Sequence, residues 1–476
     1  MSKYEVVIGL EIHVQMNTNT KLFCRCSNDS FNKAPNSNVC PICMGFPGQL
    51  PMLNSKAIEK GIISGLALGC EIPEFSKFDR KNYFYPDSPK GYQITQFDKP
   101  ISVNGKVIIE TESGEKEIRV NRMHIEDDAG KLTHTPAGSL VDFNRAGTPL
   151  MEIVSEPDIR SVEEASMYAR EIQKIVRYAK TSDADMEKGM MRFDLNISLR
   201  LEGIEEFGTK VEVKNLNSFQ SLEKAAEFEI KRQSKMLDSG EQISQETRGW
   251  DDKTEKTVSQ RSKEEAMDYR YFPEPDLPPV QAEEQTVAEL RKLVPELPYD
   301  KKKRFEQEYQ LLPDDIRILT ENPDLANFFE TATKIGGNAK TACSFINTVL
   351  MAHLKEDQID IANSKVTAEH IGELVKLVEE GTISNNVAKS TVFEEMYATG
   401  KTPAEIVEEK GLKQVSDTGA LEDFAKKAIE ALPQAADDVR AGEMKAIGAL
   451  VGFVMKESKG QANPKVVNDI LQKLLK

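Results

Sequence analysis

Four short segments in the first half of the chain place acidic and amide side chains two residues apart, and they are residues 9–15, 124–131, 192–198 and 211–215. A β-strand alternates its side chains between two faces, so residues two apart share a face. The pairs that share a face in this way are Glu11 with His13, Asp194 with Asn196, and Glu212 with Lys214. Their apolar neighbours point to the opposite face. The pattern predicts a sheet with one apolar face and one face of carboxylates.

A sheet face rich in carboxylates has the chemistry that a hard cation and a polyphosphate require. Mg²⁺ takes oxygen ligands from a few carboxylates and completes its shell with water and substrate phosphates. The alternative is a solvated sheet face with scattered charge, and it explains any single segment well. It explains all four together less well, since a solvated face normally mixes lysine, threonine and glutamate. The segments therefore indicate nucleotide and metal chemistry.

A run of basic and aromatic residues at 78–87, followed by Lys90 and Tyr92, is typical of a binding loop for phosphate and a stackable base. A packed aromatic corner is the alternative. The sequence has no G-x-x-x-x-G-K-[ST] phosphate loop, no G-x-G-x-x-G, no G-x-S-x-G and no glycine-serine amidase signature. Any ATP is therefore expected to be bound by carboxylates and metal.

Four of the six cysteines form two close pairs, Cys24 with Cys26 and Cys40 with Cys43. Two pairs separated by a polar loop predict a site in which four thiolates surround zinc tetrahedrally. Disulfides are the alternative, and a reducing cytoplasm disfavours them. Such a site has no open coordination position, so its expected role is to pin the loop and not to catalyse. The other two cysteines are expected in the core.

The composition limits the function classes. At 476 residues the chain is too long for one core, and its net charge of −16 argues against a general nucleic-acid coat, although it permits a basic patch on one domain. No apolar run approaches the roughly 20 residues that a membrane span requires. The start, Met-Ser-Lys-Tyr-Glu, leads into a predicted strand. We therefore expect no signal peptide, no membrane contact and a cytoplasmic location.

The pattern of elements predicts an α+β fold in three domains. Residues 1–293 mix predicted strands and helices and contain the zinc loop. A proline-rich crossing at residues 271–279 marks the end of this part. Beyond it nearly all of the sequence predicts helix, with a break near residues 400–415. We therefore expect a helical domain at 294–405 and a tail domain at 406–476.

Long motifs along the whole chain carry a family resemblance. They are residues 7–15, 78–87, 124–131, 142–145, 154–158, 211–219, 268–276 and the tail segment 459–464. With these motifs the chain resembles the GatB family, the B subunits of bacterial tRNA-dependent amidotransferases. The resemblance implies that the N-terminal domain, called the cradle, has the antiparallel sheet of the glutamine synthetase catalytic fold. It further implies an all-α middle domain and a C-terminal domain of the YqeY type.

The resemblance also implies a three-subunit enzyme that converts glutamate on misacylated tRNA(Gln), or aspartate on tRNA(Asn), to the amide. In that family the amidase (A) subunit frees ammonia from glutamine, a small C subunit holds the other two together, and the B subunit uses ATP to activate the side-chain carboxylate. Whether the substrate is Glu-tRNA(Gln), Asp-tRNA(Asn) or both stays open. A competing hypothesis is a non-catalytic tRNA-binding scaffold whose acidic cradle only docks a partner enzyme.

Roles for individual residues follow as hypotheses. The ligands assigned to Mg²⁺ on the ATP phosphates are Glu11, His13, Glu126 and Glu212, and Asp194 is assigned to a second metal or to orienting the acceptor. The ATP and phosphoryl contacts are assigned to Lys81, Tyr83, Tyr85, Lys90, Arg145 and Lys214, with a structural role in its strand as the alternative for Lys214. The tRNA contacts are assigned to Lys456, Lys459 and Lys465, in a segment with six lysines against two acidic residues from Met444 to Lys476.

Overall fold

The computed structural model describes residues 3–262, 268–413, 418–458 and 462–475. The chain divides into two units, Met1–Asp300 and Lys301–Lys476. The strands all lie in the first unit and are β1 (Tyr4–Gln15), β2 (Phe75–Ser76), β3 (Asp79–Asn82), β4 (Tyr92–Thr95), β5 (Ser102–Thr111), β6 (Gly114–Asp127), β7 (Lys131–Thr135), β8 (Gly138–Asp142), β9 (Pro149–Ser155), β10 (Met191–Leu201), β11 (Val211–Leu216), β12 (Glu246–Asp251), β13 (Lys256–Ser262), β14 (Phe272–Pro273) and β15 (Val280–Gln281).

Eight of these strands form one large sheet in the order β13-β12-β11-β10-β1-β9-β6-β5. Every neighbouring pair is antiparallel except β11 and β12, which run parallel. The predicted antiparallel sheet therefore has to be corrected at this one pair, and the sheet is mixed. The reason is the helix Phe219–Asp238 between these two strands, because a parallel pair requires a crossover connection.

Four helices of the first unit are α1 (Ser55–Ala67), α2 (Val162–Tyr178), α3 (Phe219–Asp238) and α4 (Glu284–Arg291). Two of them start at serines whose side-chain oxygens accept a hydrogen bond from a backbone N–H of the first turn, Ser161 for α2 and Ser218 for α3. Their apolar stripes pack on one face of the sheet, in a core with the alternate apolar residues of β1, β10 and β11. The helices therefore leave the other face of the sheet to the polar side chains.

Smaller sheets complete the first unit. Strand β3 pairs with β14 and β4, β2 pairs with β15, and β7 forms a hairpin with β8. The pairing of β14 with β3 brings the proline-rich crossing back against the basic and aromatic segment. That segment is consequently held beside the large sheet by residues that lie about 190 positions later in the chain.

The second unit is entirely helical in its described residues. Its helices are α5 (Pro298–Tyr309), which begins in the first unit, α6 (Pro313–Leu319), α7 (Pro323–Gly336), α8 (Ala339–Ser344), α9 (Met351–Asp357), α10 (Ala368–Glu379), α11 (Asn385–Val387), α12 (Phe393–Thr399), α13 (Pro403–Glu409), α14 (Thr418–Ala431), α15 (Pro433–Arg440), α16 (Ile447–Glu457) and α17 (Pro464–Leu475). Short π-helical turns at Phe345–Leu350 and Ala388–Val392 connect some of them. None of the described helices is long and apolar enough to cross a membrane.

The second unit has two apolar clusters. One runs from Phe305 to Val407 and the other from Leu421 to Leu475. The mixed α+β class is therefore confirmed as a large mixed-sheet region followed by an all-helical one. The domain boundaries predicted after residues 293 and 405 stay predictions.

Candidate active site

Four adjacent strands, β10, β1, β9 and β6, build the polar face of the large sheet. The register across them aligns Arg192, His13, Glu152 and His124 in one row. Residues directly opposite each other in antiparallel strands project to the same face of a sheet. The row therefore collects one guanidinium, two imidazoles and one carboxylate on the face that the helices leave open.

A first acidic group, defined as His13, Glu126 and Glu152, lies on this face. One ligand atom from each residue lies within 4.8 Å of the other two. The Nε2 atom of His13 is 3.3 Å from Glu152 Oε2 and 3.9 Å from Glu126 Oε1. All three side chains are buried. Two carboxylates and an imidazole at this separation can share one divalent cation.

His124 flanks the first acidic group and neutralises part of its charge. Its Nε2 atom lies 3.4 Å from Glu152 Oε2 and 3.6 Å from Glu126 Oε2. Burial alone lowers the pKa of His124, but the attraction of Glu152 and hydrogen bonds to both carboxylates outweigh burial and raise it to about 9. In turn, the two histidines overcome the effect of burial on Glu152 and hold the pKa of that carboxyl well below its usual range.

A second acidic group, defined as Glu11, Asp194 and Glu212, lies on three successive strands of the same sheet. Its ligand atoms also lie within 4.8 Å of one another. Asn196 donates a hydrogen bond to Glu11 at 2.9 Å, and the Thr247 hydroxyl donates to Glu212 at 2.8 Å. Burial, together with the charge of Glu152, raises the pKa of Glu11. The group therefore concentrates negative charge that only a cation can offset.

Lys214 supplies one such cation from within the protein. Its Nζ atom lies 2.8 Å from Asp194 Oδ2 and 2.9 Å from Glu212 Oε1. Burial lowers the pKa of Lys214, but the attraction of these two carboxylates outweighs it, so the pKa is raised. Lys214 is therefore anchored in the second acidic group.

The structure divides the predicted magnesium ligands between the two groups. His13 and Glu126 lie in the first acidic group, and Glu11 and Glu212 lie in the second together with Asp194. The division follows from the register, because β9 lies between β1 and β6 and places Glu152 beside His13. Two separate cation sites fit these residues better than one shared site.

The first acidic group and Asp194 of the second line a cleft of about 730 Å³, which is the size of a typical ligand pocket. The predicted residues that line it are His13, Lys81, Tyr83, Tyr85, Lys90, Glu126, Arg145, Asp194 and Lys214. Tyr83 and Tyr85 stack with ring centroids 5.6 Å apart on its wall. The cleft therefore joins acidic, basic and aromatic side chains in one space.

The cations of the cleft differ in how firmly they are held. Lys90 is paired with Asp127. Arg145 donates hydrogen bonds to the carbonyl oxygens of Ala129 at 3.1 Å and Gly130 at 2.9 Å. Both side chains therefore fix the loop that follows β6.

Lys81 is the cleft lysine that lacks such an anchor. No carboxylate of the described residues lies within 4.0 Å of its Nζ atom, which instead lies 4.8 Å from the ring centroid of Tyr269. Burial lowers the pKa of Lys81, but the charge of Glu126 and its neighbours outweighs burial and raises it. A charged and unanchored ammonium in an acidic cleft is suited to bind an incoming anion.

Three residues of the site were not assigned from the sequence. Glu152 stands between Met151 and Ile153, which are both buried in the core. Because side chains alternate along a strand, this lone carboxylate is expected on the polar face. Arg192 lies two residues before Asp194 and lines the cleft, and its guanidinium is 3.5 Å from Asp128. His124 lies two residues before Glu126. For Arg192 and His124 the two-residue spacing was the available signal.

The four paired cysteines converge as predicted. The sulfur atoms of Cys24, Cys26, Cys40 and Cys43 lie within 4.8 Å of one another, and all four are free thiols. A tetrahedral zinc with bonds of about 2.3 Å requires sulfurs about 3.8 Å apart, so this spacing fits the ion. The backbone N–H of Cys40 donates to Cys43 Sγ at 3.1 Å. The cluster is therefore compatible with a structural zinc site.

The predicted tRNA-binding lysines lie in the last two helices. Lys456 is exposed near the end of α16, and Lys465 is exposed in the first turn of α17. Lys459 lies outside the described residues. The side chain of Asn463 accepts hydrogen bonds from the backbone N–H groups of Lys465 and Val466, so it caps α17.

Comparison with known proteins defines the class. Residues 6–288 match the family model described as the GatB/GatE catalytic domain, and residues 327–475 match the model described as the GatB domain. The mixed sheet with its acidic cleft lies within the match to the catalytic domain. The chain is therefore a ligase of the amidotransferase class.

The matches to similar proteins cover the whole chain. The B subunit of the aspartyl/glutamyl-tRNA(Asn/Gln) amidotransferase from Persephonella marina is 52% identical over 475 residues, which are 100% of both chains. The proteins of the same name from Brevibacillus brevis and Carboxydothermus hydrogenoformans are 49% and 50% identical and match over 99% or more of each chain. The chain belongs to the GatB family of amidotransferase B subunits.

Proposed function

We propose that this GatB-family chain uses ATP to activate the side-chain carboxylate of a misacylated tRNA, Glu-tRNA(Gln), Asp-tRNA(Asn) or both, and then converts it to the amide with ammonia. The observation that carries the proposal is the pair of acidic groups on one sheet face, beside a cleft of nucleotide size that is lined by the first group and by Asp194 of the second. A sheet face of this kind also agrees with the proposed likeness of the cradle to the glutamine synthetase catalytic fold.

The two acidic groups are the proposed magnesium sites. His13, Glu126 and Glu152 would hold one ion, and Glu11, Asp194 and Glu212 a second. Four of these residues, Glu126, Glu152, Asp194 and His13, are buried, so water competes little for their ligand atoms. Magnesium bound to ATP phosphates neutralises the negative charge that develops during phosphoryl transfer.

Lys81 and Arg192 are proposed to position the transferring phosphoryl group. Catalysis of phosphoryl transfer is mostly positioning and charge neutralisation, and both cations line the cleft together with His13, Glu126, Glu152 and Asp194. Lys90 and Arg145 would act by holding the cleft wall, because Asp127 and backbone carbonyls already occupy them. Tyr83 and Tyr85 offer a stacked aromatic wall to the adenine.

The proposed reaction has two steps. The substrate carboxylate oxygen attacks the γ-phosphorus of ATP, the bond to the bridging oxygen breaks, and ADP leaves with that oxygen. Ammonia then attacks the acyl carbon, phosphate leaves with the acyl oxygen, and the nitrogen loses a proton. The acyl phosphate must be shielded from water, since hydrolysis would return the starting carboxylate. The buried floor of the cleft suits that requirement.

The partners follow from the same proposal. Ammonia would come from an amidase (A) subunit, a small C subunit would complete a heterotrimer in the cytoplasm, and the structural zinc would brace the cysteine loop. The lysines of α16 and α17 are proposed to contact the tRNA backbone. The competing hypothesis, a non-catalytic scaffold that binds tRNA, gives no reason for two acidic groups on one sheet face with four of their six side chains buried.

The test is the reconstituted complex with a single carboxylate changed. Glu152→Gln keeps the size of the side chain and removes one ligand oxygen charge, so amide formation and tRNA-dependent ATP hydrolysis should both fall by at least 100-fold with either misacylated tRNA. Glutamine hydrolysis by the partner should persist. The matched control is Glu156→Gln, just after the same strand, where the carboxylate accepts a hydrogen bond from Asn121.

Two outcomes decide between the hypotheses. A Glu152→Gln complex that forms amide at the rate of the control would remove the catalytic proposal and favour the scaffold. Loss of tRNA binding with normal ATP turnover would do the same. Equal loss in both variants would mean that the site lies elsewhere on this surface.

A further inference from the structure

Lys21 has a fully buried side chain beside the cysteine cluster. Among the side chains that have no exposed surface, it is one of the largest. Its Nζ atom donates to the carbonyl oxygen of Asn38 at 2.9 Å and lies 3.8 Å from Cys43 Sγ. A lysine is almost never fully buried unless its charge is paired. The position of this ammonium therefore calls for a partner of opposite charge.

The partner is not a carboxylate. Among the described residues, no aspartate or glutamate oxygen lies within 4.0 Å of Lys21 Nζ. A neutral carbonyl oxygen alone does not offset the cost of taking an ammonium out of water. The group within reach that can carry a negative charge is the sulfur of Cys43. Burial of Lys21 is therefore explained when that sulfur is a thiolate.

We propose that Lys21 is a positioning residue of the metal site, in which its ammonium compensates the charge of the thiolates. Four thiolates around Zn²⁺ carry a net charge of −2, and a buried ammonium against one of them reduces the total to −1. The N–H donor also withdraws electron density from the sulfur. Partners behind the ligands tune metal sites in this way, and their loss typically lowers affinity.

The surrounding backbone holds Lys21 in this place. Its own N–H donates to the carbonyl oxygen of Cys26 at 2.9 Å, which ties it to the first cysteine pair, while its side chain reaches the second pair. Gly147 lies beside the stem of Lys21, in a backbone conformation that favours glycine. An added Cβ at that glycine would lie 3.5 Å from Lys21 Cδ and 3.6 Å from Cys43 Cβ, at a φ of +89° that side chains rarely adopt.

The experiment measures zinc affinity in the full-length chain by competition with a chromophoric chelator. Lys21→Met keeps the length of the side chain and removes the charge, and it should bind zinc about 10–100-fold more weakly. The control is Lys33→Met, which removes a lysine of the same loop that is partly exposed and 4.0 Å from Asp29. The control should leave affinity unchanged.

A spectroscopic measurement separates charge compensation from a merely structural role. With Co²⁺ in place of zinc, the sulfur-to-cobalt charge-transfer bands of Lys21→Met should move to longer wavelength, because a thiolate without the nearby ammonium gives up electrons more readily. A structural role would destabilise the zinc-loaded and zinc-free protein equally, leaving affinity and bands unchanged. That result would overturn the proposal.

Two further variants cover the case in which Lys21→Met does not fold. Lys21→Arg keeps the charge, and Lys21→Gln keeps a polar donor without the charge. The arginine variant should bind zinc at least 10-fold more tightly than the glutamine variant. Equal zinc affinity in these two, or failure of both to retain zinc after refolding with the metal, would also refute charge compensation.

Discussion

Replacing Glu229 by glutamine tests how the edge of the large sheet is held. The side chain of Glu229 projects from α3 and is fully buried. Its carboxylate accepts hydrogen bonds from Arg232 at 2.8 Å and from the Thr257 hydroxyl at 2.6 Å, and it lies 3.3 Å from Arg248. Thr257 belongs to β13 and Arg248 to β12. One carboxylate therefore joins the crossover helix to the last two strands of the sheet.

The expected loss of stability follows from these contacts. Glutamine has nearly the same volume, but it removes the charge that faces two guanidinium groups. Removing one partner of a buried ion pair costs about 3–5 kcal/mol. Arg248 keeps a second carboxylate, Glu246, at 2.6 Å, so the lower end of the range applies. We expect Glu229→Gln to lower the free energy of unfolding of the first unit by about 3 kcal/mol.

The effect should depend on pH with a definite sign. Burial raises the pKa of Glu229, but the hydrogen bonds from Arg232 and Thr257 outweigh burial and lower it below the ordinary value of 4.5. A group whose pKa is lowered by folding contributes stability above its unfolded pKa and loses it as the pH falls through the folded value. The difference between the native chain and the variant should therefore be constant near neutral pH and shrink below pH 4.5.

The assay is urea unfolding followed by the fluorescence of Trp250, the single tryptophan, which lies in β12. Glu227→Gln serves as the control, because Glu227 is an exposed residue of the same helix whose one ion-pair partner in the described part of the chain is Lys231, at 3.6 Å. The control should change stability by less than about 0.5 kcal/mol. A loss below about 1 kcal/mol for Glu229→Gln, or a difference that does not shrink in acid, would refute the reasoning.

Three further predictions concern the proposed sites. Glu11→Gln and Glu126→Gln should each lower amide formation by at least 100-fold in the reconstituted complex and leave glutamine hydrolysis by the partner intact. Near-normal amide formation by either variant at limiting Mg²⁺ would contradict the assignment of these residues as magnesium ligands. Elemental analysis of protein prepared without chelator should find about one zinc per chain, and Cys24→Ser should lower both the zinc content and the melting temperature. Deletion from residue 410 onward should raise the KM for aminoacyl-tRNA at least 10-fold while ATP still binds. If the truncated complex binds tRNA as tightly as the full one across a salt series, tRNA is recognised by another part of the protein.

Local sequence rules found much of the polar face. The alternation along β1 and β10 identified Glu11, His13 and Asp194, because strand geometry repeats every two residues whatever the strand pairs with. The same holds for the cysteine spacing, since two short loops bring each pair to one place. These features can be predicted without knowing which strands are neighbours in the sheet.

The residues that were missed depend on contacts between distant parts of the chain. Glu152 joins the first acidic group only because β9 lies between β1 and β6, and nothing in residues 149–155 specifies those neighbours. The parallel pairing of β11 with β12 depends similarly on the path of α3. The burial of Lys21 is set by residues near 38, 43 and 147. Register, crossover path and burial are long-range properties, so a local pattern does not determine them.

The position of β1 in the large sheet has a consequence for synthesis of the protein. Its two neighbours are β9 and β10, and the register joins Val14 to Met191 and Tyr4 to Leu201. At a translation rate of about 5–20 residues per second, the ribosome needs roughly 10–40 s to make β10 after β1 has emerged. During that interval the edge of this apolar strand is unpaired, and an unpaired apolar strand edge promotes aggregation. The polar face can therefore form only late in synthesis, and the first strand of the chain stays unpaired until then.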